Sequence, residues 1–170
     1  MLMGASASMR RCVFSLGSNL GDRLAMLESA CDYLADTFGS LQLSQVYETE
    51  PVGCPKGSPA YLNACVAVET DMPAEDILQL CLRIEAELGR TRSGVYGEPR
   101  PCDIDLICCG NETQQNQELT LPHPRAHERE FVLRPLCDLD PQLVLPGQAL
   151  PVIQLLEQLP AGPAVTPYPL

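Results

Sequence analysis

Apolar and polar positions divide the chain into short elements. Arg11 to Leu16 is a brief apolar run, a strand candidate, followed by the turn-rich stretch Gly17-Ser18-Asn19-Leu20-Gly21-Asp22. Leu24, Leu27, Cys31, Leu34 and Phe38 then recur at steps of three and four, which predicts an amphipathic helix closed by Gly39. Leu41 to Tyr47 alternates and reads as a strand, Glu48 to Pro59 as a long proline- and glycine-bearing loop, and Tyr61 to Glu69 as a second alternating strand. Pro73-Ala74-Glu75-Asp76 opens a second helix, with proline in the first turn and acids at the positive end of the dipole. Ile77, Leu80, Ile84 and Leu88 form its apolar stripe and Gly89 closes it. A loop to Pro101 leads into the apolar run from Asp103. The order is β-α-β-β-α-β, an α+β, ferredoxin-like split arrangement. Added C-terminal elements are expected as a strand over Glu118 to Leu121, a helix over Phe131 to Leu136 and a helix over Val152 to Leu159.

The run Asp103-Ile104-Asp105-Leu106-Ile107 carries the chain's most specific chemistry. On a strand, Asp103 and Asp105 share one face, about 7 Å apart along it, while Ile104 and Leu106 take the other. Two carboxylates on one face repel, and a divalent cation beside them removes that cost. Mg²⁺ suits such hard oxygens, because it takes one or two carboxylates and completes its shell with substrate phosphates and water. Arg90, Arg92 and Arg100 just upstream offer forked contacts to phosphate. Asp-x-Asp also occurs by chance on solvated edge strands. Here the buried flank Ile104 to Cys109, where unpaired carboxylates are costly, favours a metal and nucleotide-phosphate site.

Length and composition narrow the classes. With 170 residues, 45% of them hydrophobic, the chain suits a single domain, burying about 70% of its unfolded surface. The domain is expected over 10–160, with 1–9 a ragged extension and the proline-rich 161–170 poorly ordered. A net charge of −11 excludes general nucleic-acid or anionic-membrane binding. It also makes local basic clusters informative: from Arg83 onward every basic residue is arginine, and Lys56 is the only lysine. The nine cysteines are odd in number and include no Cys-x-x-Cys pair. Cys65, Cys81 and Cys108 fall inside apolar elements, so reduced thiols and a cytoplasmic setting are expected rather than a disulfide or zinc scaffold.

Two further groups stand out. Alternation from Tyr61 puts Tyr61 and Asn63 on one face, with Leu62, Ala64, Val66 and Val68 on the other. An aromatic beside an amide suits a flat heterocycle, stacked on its face and paired at its edge. The same two residues equally suit a covered sheet edge and a capped turn. In Leu121-Pro122-His123-Pro124-Arg125 … Arg129-Glu130-Phe131, two prolines hold His123 rigid near Arg125 and Arg129. That suits phosphate binding and a structural turn alike.

Six segments together resemble the 6-hydroxymethyl-7,8-dihydropterin pyrophosphokinases of folate biosynthesis. They are Ser15-Leu16-Gly17-Ser18-Asn19-Leu20-Gly21-Asp22, Tyr47-Glu48-Thr49-Glu50-Pro51-Val52-Gly53, Tyr61-Leu62-Asn63, Ile84-Glu85 … Gly89-Arg90-Thr91-Arg92, Pro99-Arg100-Pro101-Cys102-Asp103-Ile104-Asp105, and Leu121 to Arg125 with Arg129-Glu130-Phe131-Val132-Leu133. They run in the family's order over residues 11 to about 147. The resemblance implies transfer of pyrophosphate from ATP, the co-substrate, to the pterin's hydroxymethyl group. Asp103 and Asp105 would hold two Mg²⁺ ions. Thr49, Val52, Gly53, Tyr61, Asn63 and Phe131 would form the pterin pocket, with the ring between Tyr61 and Phe131. Glu85, Arg92, Leu106, Thr120, His123 and Arg129 would form the ATP side, and Arg90 and Arg100 would be catalytic arginines on closing loops. The expected partners are pterin and ATP alone, with no nucleic acid, no membrane and a monomeric chain.

Several positions depart from the family's pattern. Gly97 stands where many members carry tryptophan, Ser93 where many carry a basic residue after the second loop arginine, and Glu118 where some carry a basic residue. These departures bear on loop closure more than on the metal or pterin sites. Two other classes compete. A non-catalytic pterin- or nucleotide-binding ferredoxin-like module fits the fold, and a glycosyltransferase fits Asp-x-Asp alone. The two aspartates with Arg90 and Arg100 favour the enzyme.

Overall fold

A computed structural model describes residues 8–51, 59–89 and 101–170. Its elements are β1 (Arg10–Ser18), α1 (Arg23–Phe38), β2 (Gln42–Leu43), β3 (Tyr47–Thr49), β4 (Tyr61–Thr70), α2 (Ala74–Gly89), β5 (Asp103–Cys109), β6 (Gln114–Gln115), β7 (Thr120–Leu121), α3 (Glu130–Leu139), α4 (Val152–Gln158) and β8 (Val165–Pro167). The main sheet is antiparallel in the order β5-β1-β4-β3-β8, with β2 also on β4. Among the described residues no helix is long and apolar enough to cross a membrane.

The sheet separates two apolar layers. Phe14, Leu16, Leu62, Val66, Val68, Ile104 and Leu106 pack with Leu27, Leu34, Ile77, Ile84 and Leu88 of α1 and α2. Val13, Cys65, Ala67, Ile107 and Cys108 pack beneath Val132, Leu133, Leu136 and Val152 of α3 and α4. The predicted helices form for the predicted reasons. Asp22 accepts from Ala25 N at 3.1 Å as the N-cap of α1, and Gly39, at φ 81°, ends it.

Four expectations change. The predicted strand over Leu41 to Tyr47 is two short strands on β4, because Ser44 bonds to Cys65 through both its backbone N–H and its side chain. The strand at Glu118 begins at Thr120 and pairs with β6. The helix at Phe131 runs from Glu130 to Leu139 despite the internal Pro135. The proline-rich tail contributes β8, an edge strand on β3.

One irregularity aligns the acidic face. The β1–β5 register runs Gly17↔Asp103, Ser15↔Asp105 and Phe14↔Leu106, then Val13↔Cys108, so Ile107 is an extra, bulged residue. The bulge lets Ile107 and Cys108 both face α3 while Asp103 and Asp105 keep that same side further along the strand.

Candidate functional site

α3 and α4 cover only part of the sheet face that carries Val13, Cys65 and Ile107. Past them lies a cleft of about 500 Å³ lined by Ser15, Gly17, Thr49, Glu50, Pro51, Tyr61, Asn63, Asp103, Asp105, Arg125, Arg129, Phe131 and Pro163. Strand register builds its floor. Asp103, Gly17, Asn63 and Tyr47 stand opposite one another across four neighbouring strands, with Asp105 and Ser15 paired alongside. Two inter-strand spacings set the Asp103 and Asn63 backbones about 10 Å apart.

Small residues on β1 make that floor approachable. A Cβ added to Gly17 would lie 3.1 Å from Asn63 Nδ2 and 3.7 Å from Tyr61 Cδ1. Asn63 is 4% exposed, and its Oδ1 accepts from the Thr49 hydroxyl at 2.6 Å. The bond fixes which end of the amide faces Gly17. Tyr61 is half-buried opposite Thr49.

The acidic end is held from outside the cleft. β5 is the outer strand, and Ile104 N, turned away from β1, donates to the buried Glu85 carboxylate of α2 at 2.7 Å. Ser18 Oγ donates to Pro101 O at 2.6 Å and anchors the entry to β5. Asp103 is half-buried and Asp105 exposed, although the strand beneath them is buried. The two carboxylates are therefore not the buried, costly pair expected from the flanking residues: water reaches them and screens their repulsion. What singles them out is that both border a cleft shared with an amide, two rings and two arginines. Among the described residues no three His, Cys, Asp or Glu side chains gather as a metal cage. Two carboxylates fit a hard cation whose remaining ligands are phosphate and water oxygens.

The opposite wall comes from α3 and the turn before it. Phe131 is half-buried, and the Arg129 guanidinium lies 5.5 Å over its ring. Asp138 secures α3 to the sheet by accepting from Tyr47 Oη at 2.8 Å and Gln45 N at 3.1 Å. Burial and that carboxylate push the Tyr47 phenol up to about 12. His123 is half-buried, its backbone N–H donating to Ile107 O at 2.8 Å. Burial holds its imidazole below the ordinary value, with Arg129 and Arg125 acting the same way and Asp105 opposing them.

The cleft thus gathers Asp103, Asp105, Thr49, Tyr61, Asn63, Phe131 and Arg129 from the expected site. Leu106 and Glu85 belong to the other layer: Leu106 packs under α1 and α2, and Glu85 binds the β5 backbone. Thr120, on β7 next to β5, and His123, bonded to the β5 backbone, do not line the cleft. Val52, Gly53, Arg90, Arg92 and Arg100, with the closing loops, lie outside the described residues. Ser15, Gly17, Glu50, Pro51 and Pro163 line the cleft unforeseen. The β1 alternation carried a signal for two of them, since Ser15 and Gly17 are in phase with Val13 and too small to fill their face.

Comparison with known proteins gives the same direction. Residues 13–141 match the family described as 7,8-dihydro-6-hydroxymethylpterin-pyrophosphokinase (HPPK). A 2-amino-4-hydroxy-6-hydroxymethyldihydropteridine pyrophosphokinase of Methylorubrum extorquens is 40% identical over 144 residues, covering 84% of this chain and 90% of that one. The Porphyromonas gingivalis enzyme of the same name is 46% identical over 134 residues, covering 76% and 90%. A crystal structure of Plasmodium falciparum HPPK-DHPS with pteroate superposes with a TM-score of 0.69 at 14% identity. It covers 91% of this chain, which spans 44% of that longer one, and the likeness supports a mixed fold of helices on an antiparallel sheet. On the extent of the family match and the identity to these relatives, the chain belongs to the 7,8-dihydro-6-hydroxymethylpterin-pyrophosphokinase family.

Proposed function

We propose that this pyrophosphokinase of folate biosynthesis carries out its transfer in the cleft between β5 and α3. The hydroxymethyl oxygen of 6-hydroxymethyl-7,8-dihydropterin attacks the β-phosphorus of ATP, the bond from that phosphorus to the α-phosphate oxygen breaks, and the alcohol loses its proton. AMP leaves and the pterin pyrophosphate forms. The observation that carries this assignment is the row Asp103–Gly17–Asn63, which sets a carboxylate and a heterocycle-reading amide about two strand spacings apart on one open floor.

Each residue has a stated task. Asn63, oriented by Thr49, pairs with the pterin edge, and Tyr61 and Phe131 enclose its ring. Val52 and Gly53 complete that pocket. Asp103 and Asp105 hold Mg²⁺, two ions in the full complex. When bound, Mg²⁺ neutralises the polyphosphate and eases loss of the alcohol proton. Arg129 and Arg125 face the polyphosphate from the opposite wall, and Arg90 and Arg100 close over the transferred group. Arg92, Thr120, His123 and Leu106 serve the nucleotide end. Glu85 acts on that side as a positioning residue, through the backbone it holds at Ile104. The strand order β5-β1-β4-β3 with α1 and α2 on one face supports a ferredoxin-like core, to which β6, β7, α3, α4 and β8 are additions.

The test is AMP formation from Mg·ATP with and without the pterin. Pterin-dependent AMP release in step with pterin pyrophosphate is expected. Tight binding of both ligands with no AMP would instead identify a non-catalytic module.

A further inference from the structure

The chain's last residues run from the end of α4, past the mouth of the cleft, to the free edge of β3. The register Tyr47↔Pro167, Glu48↔Thr166, Thr49↔Val165 is bracketed by Glu50 N donating to Ala164 O at 3.1 Å and Tyr168 N donating to Val46 O at 2.9 Å. Hydrogen-bonded pairs alternate with non-bonded ones in an antiparallel ladder. The bonded pairs are thus Glu50/Ala164, Glu48/Thr166 and Val46/Tyr168. Pro163, Pro167 and Pro169 all fall in the other phase, where the missing N–H would point away from β3. The prolines are spaced so that every donor the ladder needs remains. They also leave the outer edge poor in donors, which discourages further pairing.

The same parity divides the side chains. Val165 shares the cleft face with Thr49, and Pro163 lines the cleft itself. Tyr168 takes the opposite face, packing against the α1–α2 core, with the Arg23 guanidinium 5.7 Å from its ring centroid. Arg23 Nη1 also donates to Glu48 Oε2 at 2.8 Å and Ala60 O at 2.9 Å. One arginine thus joins the start of α1, β3, the approach to β4 and the tail. The matched family region ends at residue 141, so β8 itself lies beyond it.

We infer that β8 is a built wall of the heterocycle pocket: it holds β3 in register so that Thr49 presents the Asn63 amide, and Pro163 closes the cleft beside Glu50 and Pro51. The inference rests on the proposed pterin site and adds a specificity-determining segment to it. Without β8, the segment carrying Thr49 must be ordered as the pterin binds. If only about one tenth of molecules then hold the competent arrangement, the apparent pterin affinity falls about ten-fold.

The experiment is calorimetry of pterin binding to the full chain, with Mg²⁺ and a saturating non-hydrolysable ATP analogue. The variants are Thr166→Pro, Thr166→Val, Pro163→Gly and Asn63→Ala. Thr166→Pro removes the central ladder donor, whereas Thr166→Val keeps it. A roughly ten-fold loss for Thr166→Pro, a smaller loss for Pro163→Gly, wild-type behaviour for Thr166→Val and unchanged binding of the ATP analogue are expected. Circular dichroism reports the fold. If Thr166→Pro does not fold, Pro163→Gly decides the matter alone. Wild-type pterin affinity in both proline-site variants, with Asn63→Ala impaired, overturns the role of β8 and leaves the pocket standing. Equal loss of pterin and ATP-analogue binding, or a Thr166→Val loss matching that of Thr166→Pro, also overturns it. Wild-type affinity in Asn63→Ala as well removes the pocket itself.

Discussion

Gly17→Ala adds a single methyl group at the centre of the cleft floor. The backbone there needs no left-handed conformation, so the whole effect comes from space. The new Cβ would sit 3.1 Å from Asn63 Nδ2, so the amide must give by a few tenths of an ångström. Asn63 has little freedom to do so, being 4% exposed and tied to Thr49 at 2.6 Å. Two displaced heterocycle hydrogen bonds at about 0.5–1.5 kcal/mol each would cost about 1–3 kcal/mol. That corresponds to pterin binding weaker by about 5- to 150-fold. Stability should change little, because alanine in an extended strand recovers about 0.4–1 kcal/mol through the unfolded chain, against the local crowding. Calorimetry with Mg²⁺ and a non-hydrolysable ATP analogue measures the first effect, and thermal unfolding the second. Pterin affinity within two-fold of wild type, with an unchanged melting temperature, would refute the role given to the Gly17–Asn63 contact.

Other outcomes follow from the same geometry. Glu85→Ala leaves the Ile104 N–H without its buried acceptor, a loss of about 1–3 kcal/mol that should lower Tm by about 2–12 °C, and an unchanged Tm would show that β5 is held by other means. Arg100→Ala should reduce kcat far more than it weakens pterin binding, and equal losses would contradict a transition-state role. Burial pushes the thiols of Cys81, Cys102 and Cys108 up to about 12 and that of Cys31 to about 11, from an ordinary 9.0. The folded form thus resists deprotonation more than the unfolded one, so stability should hold below pH 9 and decline as the pH rises from 9 toward 12. Urea midpoints across that range check it, and a flat profile would contradict the burial of these thiols.

The parts legible in the sequence were those governed by local periodicity. The stripe Ile77, Leu80, Ile84, Leu88 became the buried side of α2, and the alternation of Asp103 and Asp105 against Ile104 and Leu106 survived into β5. Tyr61 and Asn63 also kept their shared face and line the cleft. Long-range pairing set what local pattern did not show. The bulge at Ile107 answers to β1, its neighbour in the sheet but far away in sequence. The break between β2 and β3 depends on Ser44 bonding to Cys65. β8 was the least visible, because four prolines in the last eleven residues read locally as an irregular tail. Only once β3 is present as a template does the shared strand phase of Pro163, Pro167 and Pro169 acquire meaning. Glu85 gave a related ambiguity: a glutamate on the apolar side of α2 suits a ligand contact, and the β5 edge supplies its backbone partner.

The most direct measurement is a crystal structure with Mn²⁺ in place of Mg²⁺, a non-hydrolysable ATP analogue and the pterin, recorded at the manganese absorption edge. A two-carboxylate metal site predicts anomalous peaks in contact with the Asp103 and Asp105 oxygens, on the cleft side of β5 and touching the analogue's phosphates. Manganese bound elsewhere, with both carboxylates turned to protein partners and the phosphates held by arginines alone, would contradict it.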